Sequence, residues 1–348
     1  MSPHELTLEG TEASKAPTRP GRSVGLVRRA LPSTRTARVI ASLSVLVVAS
    51  LTVFLTWGVD GHWDYALPRR AEQAIALIVV GAAIAVSTVV FQTLTHNRIL
   101  TPSIMGFDAL YTLFATTLVF FLGANSVETM DPWIMFSSTT VLLLAGATTL
   151  YRWMIGDGSR GLYTLVLTGV IAGTLFGSIQ SFMVRIMDPN EYDSLLDQLL
   201  PSFGALETDV LALAAAVMIA GVVVAFRFAR TLDVLGLGRE RAITLGVDYR
   251  RAVTWLLMLV AVLVAVATAL VGPVTFLGLL VANLAYQVTR THRHVITLTA
   301  SILVAAVALV LGQALLQHVL HFNATLGSII NLVGGVYFIV LILKESRA

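Results

Sequence analysis

Runs of apolar residues, each near the length a helix needs to cross a hydrocarbon layer, recur along the chain between short polar gaps. An α-helix rises about 1.5 Å per residue, so about 20 residues cover the roughly 30 Å apolar thickness of a bilayer. Ten stretches are predicted as crossing helices: 39–58, 74–93, 104–123, 133–151, 162–184, 210–229, 252–272, 274–288, 295–317 and 327–343. The eighth is short and follows the seventh across Gly272-Pro273, which predicts a tilted or partly spanning helix. Residues 1–38 are polar, with Pro17, Pro20 and Pro32, and read as a mostly disordered tail ahead of one transmembrane domain over 39–345. Arg28-Arg29 before an apolar run resembles the start of an export signal, but nine further stretches favour an uncleaved first helix.

The polar gaps alternate in charge. With the N-terminus inside, 20 of the 23 Lys and Arg residues fall in inner segments and only Arg69, Arg70 and Arg185 fall in outer ones. Basic residues accumulate on the cytoplasmic side of membrane proteins, so both termini are expected in the cytoplasm. An even number of crossings is implied, because one missed span would scramble that split. The outer segment 188–209 is acidic, with Asp188, Glu191, Asp193, Asp197, Glu207 and Asp209. Leu195, Leu196, Leu199 and Leu200 among those acids suggest a short helix lying at the outer interface, with a solvated loop as the alternative.

Composition strengthens this picture. Hydrophobic residues make up 56% of the 348 positions and charged ones 12%. A soluble domain carries about a quarter charged residues, so a water-facing surface cannot be built from this chain. The formal charge of +3 comes from the inner loops and reports topology, not nucleic-acid binding. Zero cysteines exclude disulfides, thiolate metal sites and thiol chemistry. No GxxxxGK[ST] motif occurs and no loop is long enough to fold independently, so nucleotide hydrolysis would belong to another chain.

Ionisable groups inside membranes are default functional candidates. Asp108, near the inner start of the third stretch, is the one acid within the ten. It is expected to cap free N–H groups there, with a transport role as the alternative. Gly169, Gly173 and Gly177 form a small-residue ridge in the fifth stretch that lets a neighbour pack closely. The alternative is that this stretch lines a pathway, with Thr168, Thr174, Ser178 and Gln180 offering polar groups. Asn331 and Asn283 are expected to make interhelical hydrogen bonds, with Asn331 also a pathway candidate. His318 and His321, three apart at an outer mouth, read as an interfacial pair, since a metal would need further ligands.

The inner segment 231–251, TLDVLGLGRERAITLGVDYRR, differs from the other loops. Leu235, Leu237, Ala242, Ile243 and Leu245 are expected to form an apolar face over two short helical pieces, with Gly236, Gly238 and Gly246 allowing sharp turns. Such a face would enter a groove on a partner, or else lie on lipid.

At these residues the chain resembles the FecCD/BtuC-type permeases of type II ABC importers, over roughly 39–345. The resemblance rests on QTLTHNRILTPSIMGFDALY at 92–111, LGLGRERAITLGVD within the inner segment, and TALVGPVTFLGLLVANLAYQ at 268–287. It is strongest to a branch typified by permeases for catecholate and related ferric siderophores. Ala282-Asn283 and Tyr286 stand where cobalamin-type members have Pro-His and Arg, which argues against vitamin transport. The family fold implied is all-α, with ten transmembrane helices. The implied assembly has a second permease subunit (a heterodimer is favoured), two ABC ATPases holding ATP and Mg, and an extracytoplasmic binding protein delivering a ferric siderophore. The location is a bacterial cell membrane, and no cofactor is expected on this chain.

The resemblance further implies that 232–247 couples to the ATPases. Leu235, Gly236, Leu237, Arg239, Ala242, Leu245 and Gly246 are its candidate residues. Leu67-Pro68-Arg69-Arg70 matches the family's docking sequence for the binding protein, making Arg69 and Arg70 candidates. A second family Arg, three residues earlier, is Ala66 here. Gly156, Asp157, Gly158 and Ser159 fall where the family has its inner gate. Of other classes, an ion-coupled secondary transporter, an intramembrane enzyme and a bare-metal permease all need titratable or ligating groups at depth, which the sequence does not display. Permeation of cobalamin or haem remains the alternative within the family.

Overall fold

The computed structural model describes residues 34–59, 61, 63–156, 162–204, 206–319 and 325–345. Among them the chain is helical: α1 (Thr34–Thr56), α2 (Trp63–Thr95), α3 (Phe107–Leu122), α4 (Ala124–Glu128), α5 (Pro132–Gly156), α6 (Leu162–Ile186) and α7 (Pro189–Leu199). Then follow α8 (Thr208–Arg227), α9 (Ala229–Leu235), α10 (Arg239–Thr244), α11 (Tyr249–Val271), α12 (Leu277–Thr289), α13 (His294–His318) and α14 (Leu326–Glu345). Each apolar stretch read from the sequence coincides with a helix. Among the described residues seven are long and apolar enough to cross a membrane, while α3 and α12 are shorter, at 16 and 13 residues, and α14 runs for 20.

Boundaries differ in three places for local reasons. Helix α1 starts at Thr34, inside the segment expected to be tail. Helix α2 begins at Trp63, so the LPRR sequence lies on a helix and not in a loop. The third stretch opens with a separate 3-10 turn, Pro102–Met105, closed by Gly106 at φ 86°. That left-handed glycine breaks the helix, so α3 proper starts at Phe107.

Helix α2 runs through the middle, packed against α8, α11, α12 and α13. Its residues Ala83, Val86, Val89, Val90 and Phe91 have no exposed surface. The helix ends gather at two poles. At one, the Arg70 guanidinium of α2 donates to the carbonyls of Phe54 and Trp57 at the end of α1, at 3.1 and 2.7 Å. His318, ending α13, stacks on Trp57 with ring centres 4.7 Å apart. At the opposite pole lie the end of α2, the short helices α9 and α10, and the start of α13. The acidic segment 188–209 contains the amphipathic α7, started by Asp188, whose carboxylate accepts from the Asn190 N–H at 2.9 Å. Its Leu195 is buried among Ala115, Val119, Ala124 and Val127.

Between α2 and α3 the chain turns back into the bundle. Gly106 and Met105 press on Gly169 and Gly173 of α6: a Cβ at Gly169 would stand 2.7 Å from Met105 Cα, and one at Gly106 would stand 3.2 Å from Gly173 Cα. Gly169 lies roughly 10 Å along α6 from its first residue, at about 1.5 Å per residue, so α3 starts inside the bundle. Only part of the expected ridge is used, because nothing lies within 4 Å of a Cβ at Gly177.

This contact makes a paired prediction. Gly169→Leu must displace backbone and is expected to destabilise the purified protein by about 1–3 kcal/mol, read as a lower Tm, whereas Gly177→Ala leaves Tm unchanged.

Candidate functional site

The inner segment folds as expected into two short helices, α9 and α10. Gly238 at φ 100° and Gly246 at φ 86° take the left-handed turns, but Gly236 is ordinary right-handed backbone at φ −60°. The expected single apolar face is split. Leu235 and Ala242 point into the chain's own core, at 1% and 0% exposure, and are therefore anchors. Leu237, Ile243 and Leu245 point outward, at 49%, 53% and 61%. Arg239 and Arg241 are exposed beside them, and the Arg239 guanidinium lies 5.8 Å from the centre of the Tyr249 ring. The surface left for a partner is thus three bulky apolar side chains rimmed by Arg239, Glu240 and Arg241.

Behind that surface is a polar joint that sequence reasoning missed. The Asp233 carboxylate of α9 accepts from the backbone N–H of His294 and from its ring Nδ1–H, both at 2.7 Å. His294 Nε2 lies 2.8 Å from the Thr93 hydroxyl of α2. His96, just past α2, places Nε2 3.2 Å from the Leu235 carbonyl. A cavity of about 290 Å³ opens beside the joint, lined by Gln92, His96, Arg98, Tyr286 and His292 among others. The partners are 61 and 201 positions apart, so no sequence period could have announced them.

At the opposite pole the two docking candidates part company. Arg69 is exposed, its guanidinium 5.1 Å from the Tyr65 ring centre. Arg70 is occupied by the α1 carbonyls, which makes it a bolt between helices. Of the gate candidates, Gly156 ends α5, and Asp157, Gly158 and Ser159 lie outside the described residues, as does His321.

Comparison with known proteins decides the family. The model of the FecCD transport family matches residues 35–344. The petrobactin import system permease protein YclO of Bacillus subtilis is 43% identical over 89% of this chain and 98% of its own length. The chain belongs to the FecCD transport family. A second relative, the petrobactin import system permease protein FatC of Bacillus anthracis, is 32% identical over 80% of this chain and 78% of its own. In fold the chain is similar to a metal-chelate type ABC transporter solved in an inward-facing conformation, with TM-score 0.77 at 21% identity, covering 89% of this chain and 99% of that one. FecCD proteins are transport proteins, so the side chains above are to be understood as bearings and contacts of a transporter and not as catalytic groups.

Within this FecCD chain Asp108 does not cap α3. Gly106 is the cap residue and no side chain bonds there. The Asp108 carboxylate instead accepts from the Thr275 hydroxyl at 2.7 Å, in the link between α11 and α12. Asp108 lies in the first turn of α3, and because α3 starts inside the bundle that helix start is internal. Asn283 donates to the Arg98 carbonyl in the link after α2 at 3.1 Å and to the Leu279 carbonyl of its own helix at 2.9 Å, so it ties α12 to a link and not, as expected, to another helix. The Asn331 side-chain oxygen is buried without a partner among the described residues. Of the pathway candidates on α6, Ser178 is exposed and back-bonded to the Thr174 carbonyl at 2.8 Å, while Thr168 and Gln180 are half-buried.

Removing the Asp108 partner tests this joint. Thr275→Val is expected to destabilise the protein by about 1–3 kcal/mol in thermal unfolding, since it removes one of the two hydroxyl donors, Thr275 and Ser103, that serve the Asp108 carboxylate, and Asp108→Leu with Thr275→Val is expected to recover part of that loss.

Proposed function

We propose that this chain is the permease subunit of an ATP-driven importer for a ferric siderophore, crossing a bacterial membrane ten times with both termini inside. The observation that carries this is the family match over nearly the whole chain, together with relatives whose own names specify petrobactin import. The two-pole arrangement of helix ends and the skewed distribution of arginines support the orientation, with the α9–α10 pole cytoplasmic. The two short helices, α3 and α12, are counted as crossings because they abut links that turn inside the bundle, so they need not each reach both faces unaided, and α14 at 20 residues is long enough by itself.

Two ATPases, holding ATP and Mg, dock on the permease pair, one of them on the α10 surface of this chain. Its exposed Leu237, Ile243 and Leu245 with Arg239 and Arg241 suit an acidic-rimmed apolar groove. A second permease subunit, different from this one, covers the open faces of α6 and α14. Val170, Ile171, Leu175, Ile179 and Phe182 on one, and Leu332, Val336, Ile339 and Val340 on the other, make little contact with their own chain. The pathway runs between the two subunits, with Thr168, Ser178, Gln180 and Asn331 as its candidate polar groups. ATP binding closes the ATPases and shifts the pathway between outward-open and inward-open states.

Arg69→Glu is expected to weaken docking of the binding protein by up to about fivefold, as one exposed ion pair is worth at most about 1 kcal/mol. Titration of the assembled importer with its binding protein measures that, and Arg70→Ala instead lowers Tm.

The deciding experiment reconstitutes the importer with its ATPases, second permease and binding protein. Ferric petrobactin, presented on the binding protein, stimulates ATP hydrolysis, and Arg239→Glu or deletion of 236–246 abolishes the stimulation. Uptake of the chelate by the permease without ATPases would instead make it a gradient-driven carrier, with Asp108 as the group to examine.

A further inference from the structure

Apolar packing holds helices together without fixing their register, because it is non-directional; hydrogen bonds fix register, because they weaken steeply with distance and angle. Helix α9 buries Ala229, Leu232 and Leu235 at 0%, 0% and 1% exposure, so its grip on the bundle is largely apolar. Two side chains add direction. Asp233 holds the first residue of α13 by both main chain and ring, and His96 reaches the Leu235 carbonyl. His294 Nε2 then lies 2.8 Å from the Thr93 hydroxyl, whose single proton serves either that ring nitrogen or the Val89 carbonyl, also 2.8 Å away.

The helices so reached form one packed unit. A Cβ at Gly81 of α2 would stand 2.8 Å from Leu309 and 3.3 Å from Ala305, so α13 lies directly on α2 well away from the joint. The 290 Å³ cavity beside the joint is walled by α2, α9, α12 and α13 alike, with Thr93, Asp233, Tyr286 and His294 among its lining. Force applied at α10 therefore has a directional route through Asp233 and His294 into α2 and α13, while α12 is reached only indirectly, through His96 and the link whose Arg98 carbonyl holds Asn283.

We infer that Asp233, His294 and Thr93 form a strut that converts displacement of the α9–α10 surface into joint movement of α2 and α13. They are positioning residues, acting through α9 and not by touching the chelate or the ATPase. This rests on the proposal that the α10 surface receives the ATPases, and it specifies how the input enters the transmembrane helices.

The test uses the complete importer in proteoliposomes, with ferric petrobactin uptake and ATP hydrolysis measured together. Asp233→Ala and His294→Ala are expected to lower chelate delivered per ATP hydrolysed by at least about fivefold, the lower range of inter-site coupling. His294→Asn, whose amide nitrogen reaches where Nδ1 sits but leaves Thr93 unmet, is expected to give a ratio between those of His294→Ala and the native chain; a residue needed only to fill space would not be rescued by the smaller amide. An unchanged ratio in Asp233→Ala overturns the strut. Arg239→Glu, measured alongside, separates the two proposals: if it abolishes stimulation while Asp233→Ala leaves the ratio intact, only the strut fails, and if it too has no effect, the docking proposal fails.

Should the Asp233 variants not assemble, a distance measurement decides. The chain has no native cysteine, so Arg230→Cys with Val295→Cys gives a unique spin-label pair across the joint. Their separation is expected to change by less than about 2 Å, the scale of small helix shifts, between nucleotide-free and nucleotide-bound complexes, and a larger change overturns the proposal.

Discussion

Everything in this bundle is arranged around the Arg98 carbonyl. It lies where the chain has left α2 and turns back towards α3, and it accepts from two buried amides, Gln92 at 2.7 Å and Asn283 at 3.1 Å. His96, Asn97 and Arg98 are exposed at the pole, but the Arg98 carbonyl faces the two buried amides, and an amide buried without an acceptor costs several kcal/mol, of the order given by transfer measurements. Gln92 from α2 and Asn283 from α12 supply those amides. They fix the link between α2 and α3, and with it the depth at which α3 begins.

The rest follows from that depth. Starting inside the bundle, α3 needs only Phe107–Leu122, and its first turn meets the glycines of α6 where a side chain would collide. Asp108 is carried to an internal position and needs the Thr275 hydroxyl. On the other side of the link, His96 is set against Leu235, so the α9 segment is bound to the same irregular stretch that terminates α2. One broken helix thereby connects the interior of the bundle to the surface that a motor would grip.

That connection explains why the transporter can be largely apolar. An importer driven by nucleotide hydrolysis elsewhere needs no relay of buried charges; it needs stiff helices and a few directional contacts where the input arrives. The polar groups are concentrated accordingly, at the α9 joint, at the α2–α3 link and at the opposite pole where Arg70 and His318 tie α1 to its neighbours.

The sequence by itself determined the helices and their alternation, because burial in lipid demands apolar runs of a fixed length and skews the arginines between the two sides. It also located the amphipathic α7 and the two pieces α9 and α10, since local patterns of Leu, Gly and acidic residues decide those. Helix faces and partners were beyond it. Leu235 and Leu237 are two residues apart in one motif, yet the first is core and the second is surface, and Asp108 read as a cap although its partner Thr275 lies 167 positions away. Arg69 and Arg70 look interchangeable in sequence, and only the end of α1 distinguishes them. Such choices depend on which backbone group lies within hydrogen-bond reach, about 3 Å, and that distance exists only once the helices have packed.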